Sequence, residues 1–188
     1  MNFPLINLTI DDHNETGVDF IALVDEPAIE REFLAFNKQK QTYAVQSEEK
    51  RVVTGPLMVA NLPIYRRDEH MGEYFVKFDP ETIERIAQRF FKNQMTSNVN
   101  LDHETQVEGV YMFESFLIDD RKETPKGFSK LPKGSWFGSF KIENDEVWKQ
   151  VKDGTFRGFS IEGIFTDKAT KELDKKLIDE VIRVLSEN

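Results

Sequence analysis

Short segments of β-type composition, separated by polar loops, are the feature of this sequence that most constrains its fold. Each segment is rich in apolar, β-branched or aromatic residues and is bounded by turn-forming residues, which is typical of strands. Stretches of helical periodicity are few and do not alternate with these segments, so no βαβ pattern is present. Six to eight strands are expected, within residues 3–10, 18–24, 52–67, 74–78, 99–103, 107–118, 135–142 and 155–165. The sequence therefore predicts an α+β fold, a mostly antiparallel sheet or β-barrel flanked by helices.

Three segments have the periodicity of helices. Asp79 is a good N-cap and Pro80 suits the first helical position, so a helix is expected to begin there. A second helix is expected over residues 144–152, with Gly154 as its stop. Residues 171–185 place their apolar side chains on one stripe, which predicts an amphipathic C-terminal helix.

Composition narrows the classes of function. The chain has 188 residues, of which 39% are hydrophobic, and this suffices for one core and a single domain over residues 1–188. The net charge of −9 argues against nucleic acid as a partner, because Lys and Arg supply most of the affinity for phosphate backbones. The absence of cysteine excludes disulfides and cysteine nucleophiles. Without a signal peptide or membrane-spanning stretch, an intracellular protein with no membrane partner and no cofactor is expected.

Two segments, residues 99–104 and 158–163, each offer a chemically useful side chain among apolar neighbours. In the first, regular strand alternation predicts His103 on the face opposite Asn100. In the second, Ser160 and Glu162 are expected to project from one face. Together the segments offer a histidine base and a serine nucleophile, a pairing typical of a serine protease.

The spacing in the second segment suits a catalytic relay. Two residues along a strand span about 6.6 Å, and a serine–histidine–carboxylate relay needs roughly 7–8 Å between its outer oxygens. An imidazole from a neighbouring strand could therefore bridge Ser160 and Glu162. Gly158 and Gly163 would let a substrate backbone approach, or would be ordinary strand or bulge glycines. The Gly-x-Ser-x-Glu-Gly pattern is not the Gly-x-Ser-x-Gly nucleophile elbow.

Several motifs resemble those of phage prohead maturation proteases of the XkdF-like type. They are Asn-Leu-Asp-His-Glu at residues 100–104, the block 134–142, and residues 147–154 leading into 158–163. Residues 24–28, 55–58 and 64–66 are also similar, so the resemblance spans a core of roughly residues 17–168. It implies a fold similar to the herpesvirus assemblins, a β-barrel surrounded by helices.

The resemblance also implies an activity and its site. Ser160 falls on the family nucleophile and His103 on the family base. Such proteases cut the phage scaffold protein and the major capsid protein inside an immature head, which implies a place in the procapsid interior or the host cytoplasm. Because assemblins act as dimers, a homodimer is implied too.

The third catalytic residue departs from the assemblin pattern of Ser-His-His. The other two histidines, His13 and His70, both precede Ser160 in the chain. The triad is then completed differently, and among the acids the spacing favours Glu162, while water or a backbone carbonyl could also orient the ring. The alternatives are Asp102, Glu104 and Asp167, together with an ordinary surface role for Glu162.

Two other functions are compatible with these residues. One is a non-enzymatic capsid or scaffold component that keeps the protease fold. The other is a small-molecule esterase or binding barrel. Retention of both Ser160 and His103 favours the protease.

Overall fold

The structure, a computed structural model, describes residues 3–11, 16–25, 43–47, 50–126, 128 and 130–169. Within these ranges the chain forms strands for the most part, with two α-helices and one short 3₁₀ turn. The strands are β1 (Leu5–Thr9), β2 (Gly17–Val24), β3 (Ala44–Ser47), β4 (Val52–Met58), β5 (Ile64–Asp68), β6 (Gly72–Phe78), β7 (Val99–Leu101), β8 (Thr105–Gln106), β9 (Val110–Leu117), β10 (Trp136–Ile142), β11 (Gly158–Ile164) and β12 (Thr166–Asp167). The helices are α1 (Pro80–Lys92) and α2 (Asp145–Asp153), and the 3₁₀ turn is Met95–Ser97.

The strands form three four-stranded sheets with the orders β12-β1-β6-β5, β3-β4-β10-β9 and β11-β2-β7-β8. All paired strands are antiparallel except β1 with β6 and β2 with β7. The predicted α+β class and the mostly antiparallel pairing are confirmed. The predicted β-barrel is not found, because among the described residues each sheet has two unpaired edges and none closes on itself.

Both described helices begin where the sequence predicts, and the second also ends there. The Asp79 carboxylate accepts a hydrogen bond from the Thr82 amide at the start of α1, and Pro80 is the first helical residue. Asn144 caps α2 in the same way, and Gly154 ends it with a left-handed φ of 81°. The predicted C-terminal helix, residues 171–185, lies outside the described residues.

The core lies between the sheets and helix α1. Trp136 and Phe140 of β10 and Phe159 of β11 are almost completely buried. Phe90 of α1 packs edge-on against Trp136 at 5.5 Å between ring centroids, and Phe140 lies 4.6 Å from Phe159. This packing fixes β11, the strand that carries Ser160, against β10.

Two strands are shorter than predicted. The segment 107–118 forms a strand only over Val110–Leu117, since Gly109 adopts a φ of 76° that a regular strand does not allow. The segment 99–103 forms β7 only as far as Leu101, after which residues 102–104 turn into β8. This second difference changes the direction of His103.

Candidate active site

The site begins with a row of three residues across the sheet β11-β2-β7. Ser160 lies opposite Ala22 on β2, and Ala22 lies beside Asn100 on β7. Residues in register on neighbouring strands point to the same face, so Ser160 and Asn100 share a face. Because neighbouring strands lie about 4.8 Å apart, roughly 10 Å separates these two positions. Ala22, the residue between them, has a small side chain and is completely buried.

His103 reaches this face because the chain leaves the regular strand conformation. Asp102 has a φ of 49° and His103 a φ of 63°, both left-handed. Residues 102–104 form a tight turn in which the Glu104 amide donates to the Leu101 carbonyl at 3.0 Å. The prediction that His103 lies opposite Asn100 is therefore wrong, since strand alternation stops at Leu101.

The Glu162 carboxylate contacts both His103 and Asn100. His103 Nδ1 lies 3.3 Å from Glu162 Oε2, and Asn100 Nδ2 donates to the same oxygen at 2.9 Å. The His103 side chain is 39% exposed and the Glu162 side chain 46%, so both rest at a solvent-accessible rim. The contact joins β11 to the turn after β7, across the intervening strand β2.

Asn100 is the residue that sequence reasoning missed. It is buried, with 6% of its surface exposed, and its Oδ1 atom has no hydrogen-bond partner among the described residues. Its Nδ2, rather than Oδ1, must face Glu162, since two acceptor oxygens would repel each other. An asparagine inside a short apolar strand was the available signal, because asparagine is depleted in strands and is seldom buried.

Ser160 is buried, with 8% of its surface exposed, and lines a groove of about 680 Å³. Glu162 lines the same groove. Within the described part of the chain, no hydrogen bond joins the Ser160 hydroxyl to His103 or to another side chain. Of the two contacts that the predicted relay needs, the described structure contains the one between His103 and Glu162 and not the one between Ser160 and His103.

The other predicted acids have different contacts. Asp102 Oδ1 accepts from the Asp25 amide at 3.4 Å, and Asp167 Oδ1 accepts from the Ala169 amide at 2.9 Å. Glu104 is exposed in the turn that follows β7. Of the four acids considered from the sequence, Glu162 alone contacts His103 in the described structure.

Gly163 has a structural explanation. The pairing of β11 with β2 shifts register between Glu162 and Gly163, which marks a β-bulge. A Cβ atom at Gly163 would lie 1.8 Å from the Gly17 carbonyl oxygen, so only glycine fits there. This close approach explains Gly163 as a strand glycine opposite the irregularity in β2, without a role in admitting substrate.

Tyr43 supports β11 from behind the site. Its ring lies 5.4 Å from that of Phe159, and its hydroxyl donates a hydrogen bond to the Phe156 carbonyl. Burial, together with the nearby Asp153 carboxylate, raises the pKa of Tyr43 above its usual range. Tyr43 is therefore a neutral packing residue at physiological pH.

Other groups considered from the sequence do not build a second site. Trp136 and Trp148 are buried in the core. Within the described ranges, no group of three or more His, Asp or Glu side chains could hold a metal ion. No helix among the described residues is long and apolar enough to cross a membrane. His13 lies outside the described residues, and His70 is exposed in the turn between β5 and β6.

Comparison with known proteins shows to which family the chain belongs. The family described as "Putative phage serine protease XkdF" matches residues 41–169, a range that contains His103, Ser160 and Glu162. The chain belongs to this family. Phage-like element PBSX protein XkdF of Bacillus subtilis (strain 168) is 26% identical over 150 residues, which cover 80% of this chain and 48% of that protein.

The resemblance expected from the motifs is thereby confirmed. The chain spans about half the length of the curated XkdF relative that it matches. No solved structure matches, so the likeness to the herpesvirus assemblins stays a prediction.

Proposed function

We propose that this XkdF family member is a serine endopeptidase in which Ser160 is the nucleophile, His103 the general base and Glu162 the acid that orients His103. The observation that carries the proposal is the 3.3 Å contact between His103 Nδ1 and Glu162 Oε2, two residues along the strand from Ser160. In serine hydrolases the acid holds Nδ1, which leaves Nε2 as the base. The contact observed here has that arrangement.

The proposed reaction has two steps. In the first, the Ser160 hydroxyl transfers its proton to His103 Nε2 while Oγ bonds to the substrate carbonyl carbon. The carbon–nitrogen bond then breaks, and the His103 proton passes to the leaving amine. In the second, His103 activates a water that hydrolyses the acyl-enzyme and returns Ser160 to its free form. Glu162 stabilises the imidazolium in both steps.

The absence, among the described residues, of a hydrogen bond between Ser160 and His103 is compatible with this mechanism. Catalytic hydrogen bonds are often long in the absence of substrate and shorten only in the Michaelis or transition-state complex. His103 also lies on a turn with a left-handed φ of 63°, a backbone conformation that is uncommon outside glycine and clusters at functional sites.

As substrates we propose the phage scaffold protein and the major capsid protein, cleaved inside the procapsid in the host cytoplasm. The family description as a phage serine protease supports this assignment. Co-expression with the cognate scaffold and capsid proteins tests it, with intact mass spectrometry of both precursors as the readout. We expect processing by the wild type and by Ser139→Ala, a control that changes a buried serine of β10, but none by Ser160→Ala. Processing that survives Ser160→Ala would eliminate the proposed nucleophile.

A second candidate function is a non-enzymatic assembly component that retains the protease fold. The absence, among the described residues, of a hydrogen bond between Ser160 and His103 favours it. One experimental result distinguishes the endopeptidase from the non-enzymatic assembly component. A non-enzymatic component would support procapsid assembly equally well with Ser160 or with alanine at that position, and neither precursor would be shortened.

A further inference from the structure

The groove beside Ser160 is bounded by the edge of one sheet and the face of another. Five consecutive residues of β11, 159–163, line it. Side chains alternate along a strand, so a run of consecutive lining residues means that the strand presents its edge to the groove. Among the described strands β11 is the outermost of its sheet, and it pairs on one side only, with β2.

The opposite wall is mostly apolar, with Arg66 and Asp167 as its charged residues. It is formed by strands β1, β5 and β6 of the first sheet, with a contribution from β4. The side chains that give it this character include Ile6, Leu8, Leu57, Ile64, Tyr74 and Phe78. A volume of about 680 Å³ exceeds what one small side chain fills and lies within the usual range of ligand pockets.

We infer that this groove binds the substrate as an extended peptide along β11 and selects a bulky apolar side chain next to the scissile bond. The inference rests on the proposed protease function and names its substrate class. An unpaired strand edge offers backbone hydrogen bonds to an extended peptide, and an apolar wall within reach of its side chains gives specificity. Because Ser160 and Glu162 line the same groove, the peptide that fills it lies at the nucleophile.

Cleavage of a proteome-derived peptide library, read by mass spectrometry, tests this inference. We expect Leu, Met, Phe or another bulky apolar residue at one fixed position beside the cleaved bond. Replacing that residue by alanine in a synthetic peptide is expected to lower kcat/KM by about 10- to 200-fold. An active protease whose sites show no apolar preference would overturn the groove assignment while leaving the protease function standing. A protein that cleaves no peptide would overturn both.

Variants of β1 provide a matched pair. Ile6 lines the groove, whereas its neighbour Leu5 points to the other face and is 48% exposed. Ile6→Trp is expected to fill the groove and lower kcat/KM for bulky peptides by at least about 10-fold, and Leu5→Trp is expected to leave it unchanged. Ile64→Trp, on β5, fills the groove from a second strand. Labelling of Ser160 by a small fluorophosphonate shows that each variant is folded. Equal cleavage by folded Ile6→Trp and Ile64→Trp would contradict the inference.

A second inference rests on a different observation, the buried and unpartnered Oδ1 of Asn100. A buried polar atom without a partner destabilises a fold, so stability does not explain its presence there. Asn100 Nδ2 holds Glu162 Oε2 at 2.9 Å, the same oxygen that lies 3.3 Å from His103 Nδ1. We infer that Asn100 is a positioning residue, which fixes the Glu162 carboxylate against His103. This inference also rests on the proposed function.

Two variants separate positioning from a structural role. Asn100→Leu has a similar size and removes both amide atoms, so we expect the midpoint of unfolding to stay the same or rise while kcat/KM falls about 10- to 100-fold. Asn100→Asp places a second carboxylate beside Glu162. Like charges favour a shared proton, so the acidic limb of the pH profile of kcat/KM should move to higher pH.

The His103 tautomer gives a readout that does not depend on activity. In the wild type, nitrogen NMR of the imidazole is expected to show the neutral ring protonated at Nδ1, and Asn100→Leu should lower that fraction. Wild-type kcat/KM and an unchanged tautomer in Asn100→Leu would overturn the positioning role. Loss of Ser160 labelling in the wild type would instead contradict the protease function itself.

Discussion

Two buried serines, Ser139 on β10 and Ser160 on β11, lie in neighbouring sheets and differ in what surrounds their hydroxyl groups. Ser139 is completely buried, and its Oγ lies 2.8 Å from Thr54 Oγ1 and 2.5 Å from Glu114 Oε2. These three residues form a row across β4, β10 and β9. The Ser139 hydroxyl therefore forms its hydrogen bonds inside the protein.

Ser160 has a glutamate on its own strand, yet that carboxylate contacts His103 and Asn100 and not the serine. The Ser160 hydroxyl has no protein partner among the described side chains and lines an open groove. The different surroundings of Ser139 and Ser160 show that a buried serine near a carboxylate is not by itself a nucleophile. What distinguishes Ser160 is a free hydroxyl, a groove that admits substrate, and a carboxylate that is already engaged with a histidine.

Exchanging each serine for alanine should produce the largest contrast. Ser160→Ala is expected to lower kcat/KM by about 10,000-fold or more, since it removes the attacking atom. Ser139→Ala is expected to keep activity but to lower the free energy of unfolding by roughly 1–3 kcal/mol, because it leaves the buried Thr54 hydroxyl without its partner. Peptidase assays and urea unfolding measure the two effects. Loss of activity in a stably folded Ser139→Ala variant would contradict the purely structural role of Ser139.

Removing the base should be nearly as severe. His103→Ala is expected to reduce kcat/KM by about as much as Ser160→Ala, and the double variant should be no worse than either, because residues that act as one unit are not additive. His70→Ala is the control, since His70 lies exposed in the turn between β5 and β6. Additive losses in the double variant, measured by steady-state kinetics, would mean that Ser160 and His103 act separately.

The two glutamates sharpen the comparison further. Glu162→Gln keeps the size of the side chain but removes the charge that stabilises the His103 imidazolium, so kcat/KM should fall about 100- to 10,000-fold. Glu114→Gln, beside Ser139, is expected to leave kcat/KM unchanged and to cost about 1 kcal/mol of stability. If Glu162→Gln kept full activity, another group would have to orient His103.

The smallest expected effect concerns helix α1, whose Phe90 packs on the Trp136 ring of β10. Asp79→Ala should lower the free energy of unfolding at pH 7 by about 1 kcal/mol through loss of the N-cap, without changing kcat/KM. Although burial acts to raise it, hydrogen bonds from Lys168 and Thr82 hold the pKa of Asp79 below its ordinary value.

The pH dependence of this effect has a definite sign. A lowered pKa in the folded state contributes stability that is fully present above the ordinary aspartate pKa of about 3.9. That contribution is lost as the pH falls through the lower folded value. Urea unfolding at several pH values should therefore show Asp79→Asn differing most from the wild type above pH 4 and converging with it in stronger acid. A constant difference would show that the charge of Asp79 contributes nothing.

Local signals made the helices predictable, whereas long-range pairing did not follow from the sequence. Asp79, Pro80 and Gly154 determine helix ends within a few residues of themselves, and these ends were correct. Which strands become neighbours depends on contacts far apart in the chain, including the parallel pairing of β2 with β7. The prediction of a β-barrel was wrong for this reason.

The site was predictable in part for the same physical reasons. The spacing of Ser160 and Glu162 along one strand indicated that a histidine could reach the carboxylate, and the His103 contact agrees with this. The direction of His103 was wrong because alternation cannot anticipate two consecutive left-handed residues. Asn100 was missed because its contact with Glu162 depends on β7 and β11 flanking the same strand.

Fluorophosphonate labelling, followed by peptide mapping, is the most direct test of whether Ser160 is an activated nucleophile. The account predicts one adduct on the wild type, located at Ser160, unchanged in Ser139→Ala, absent in Ser160→Ala and strongly slowed in His103→Ala. A folded wild-type protein that takes up no adduct, or takes it up at another serine, would contradict the assignment of Ser160 as an activated nucleophile.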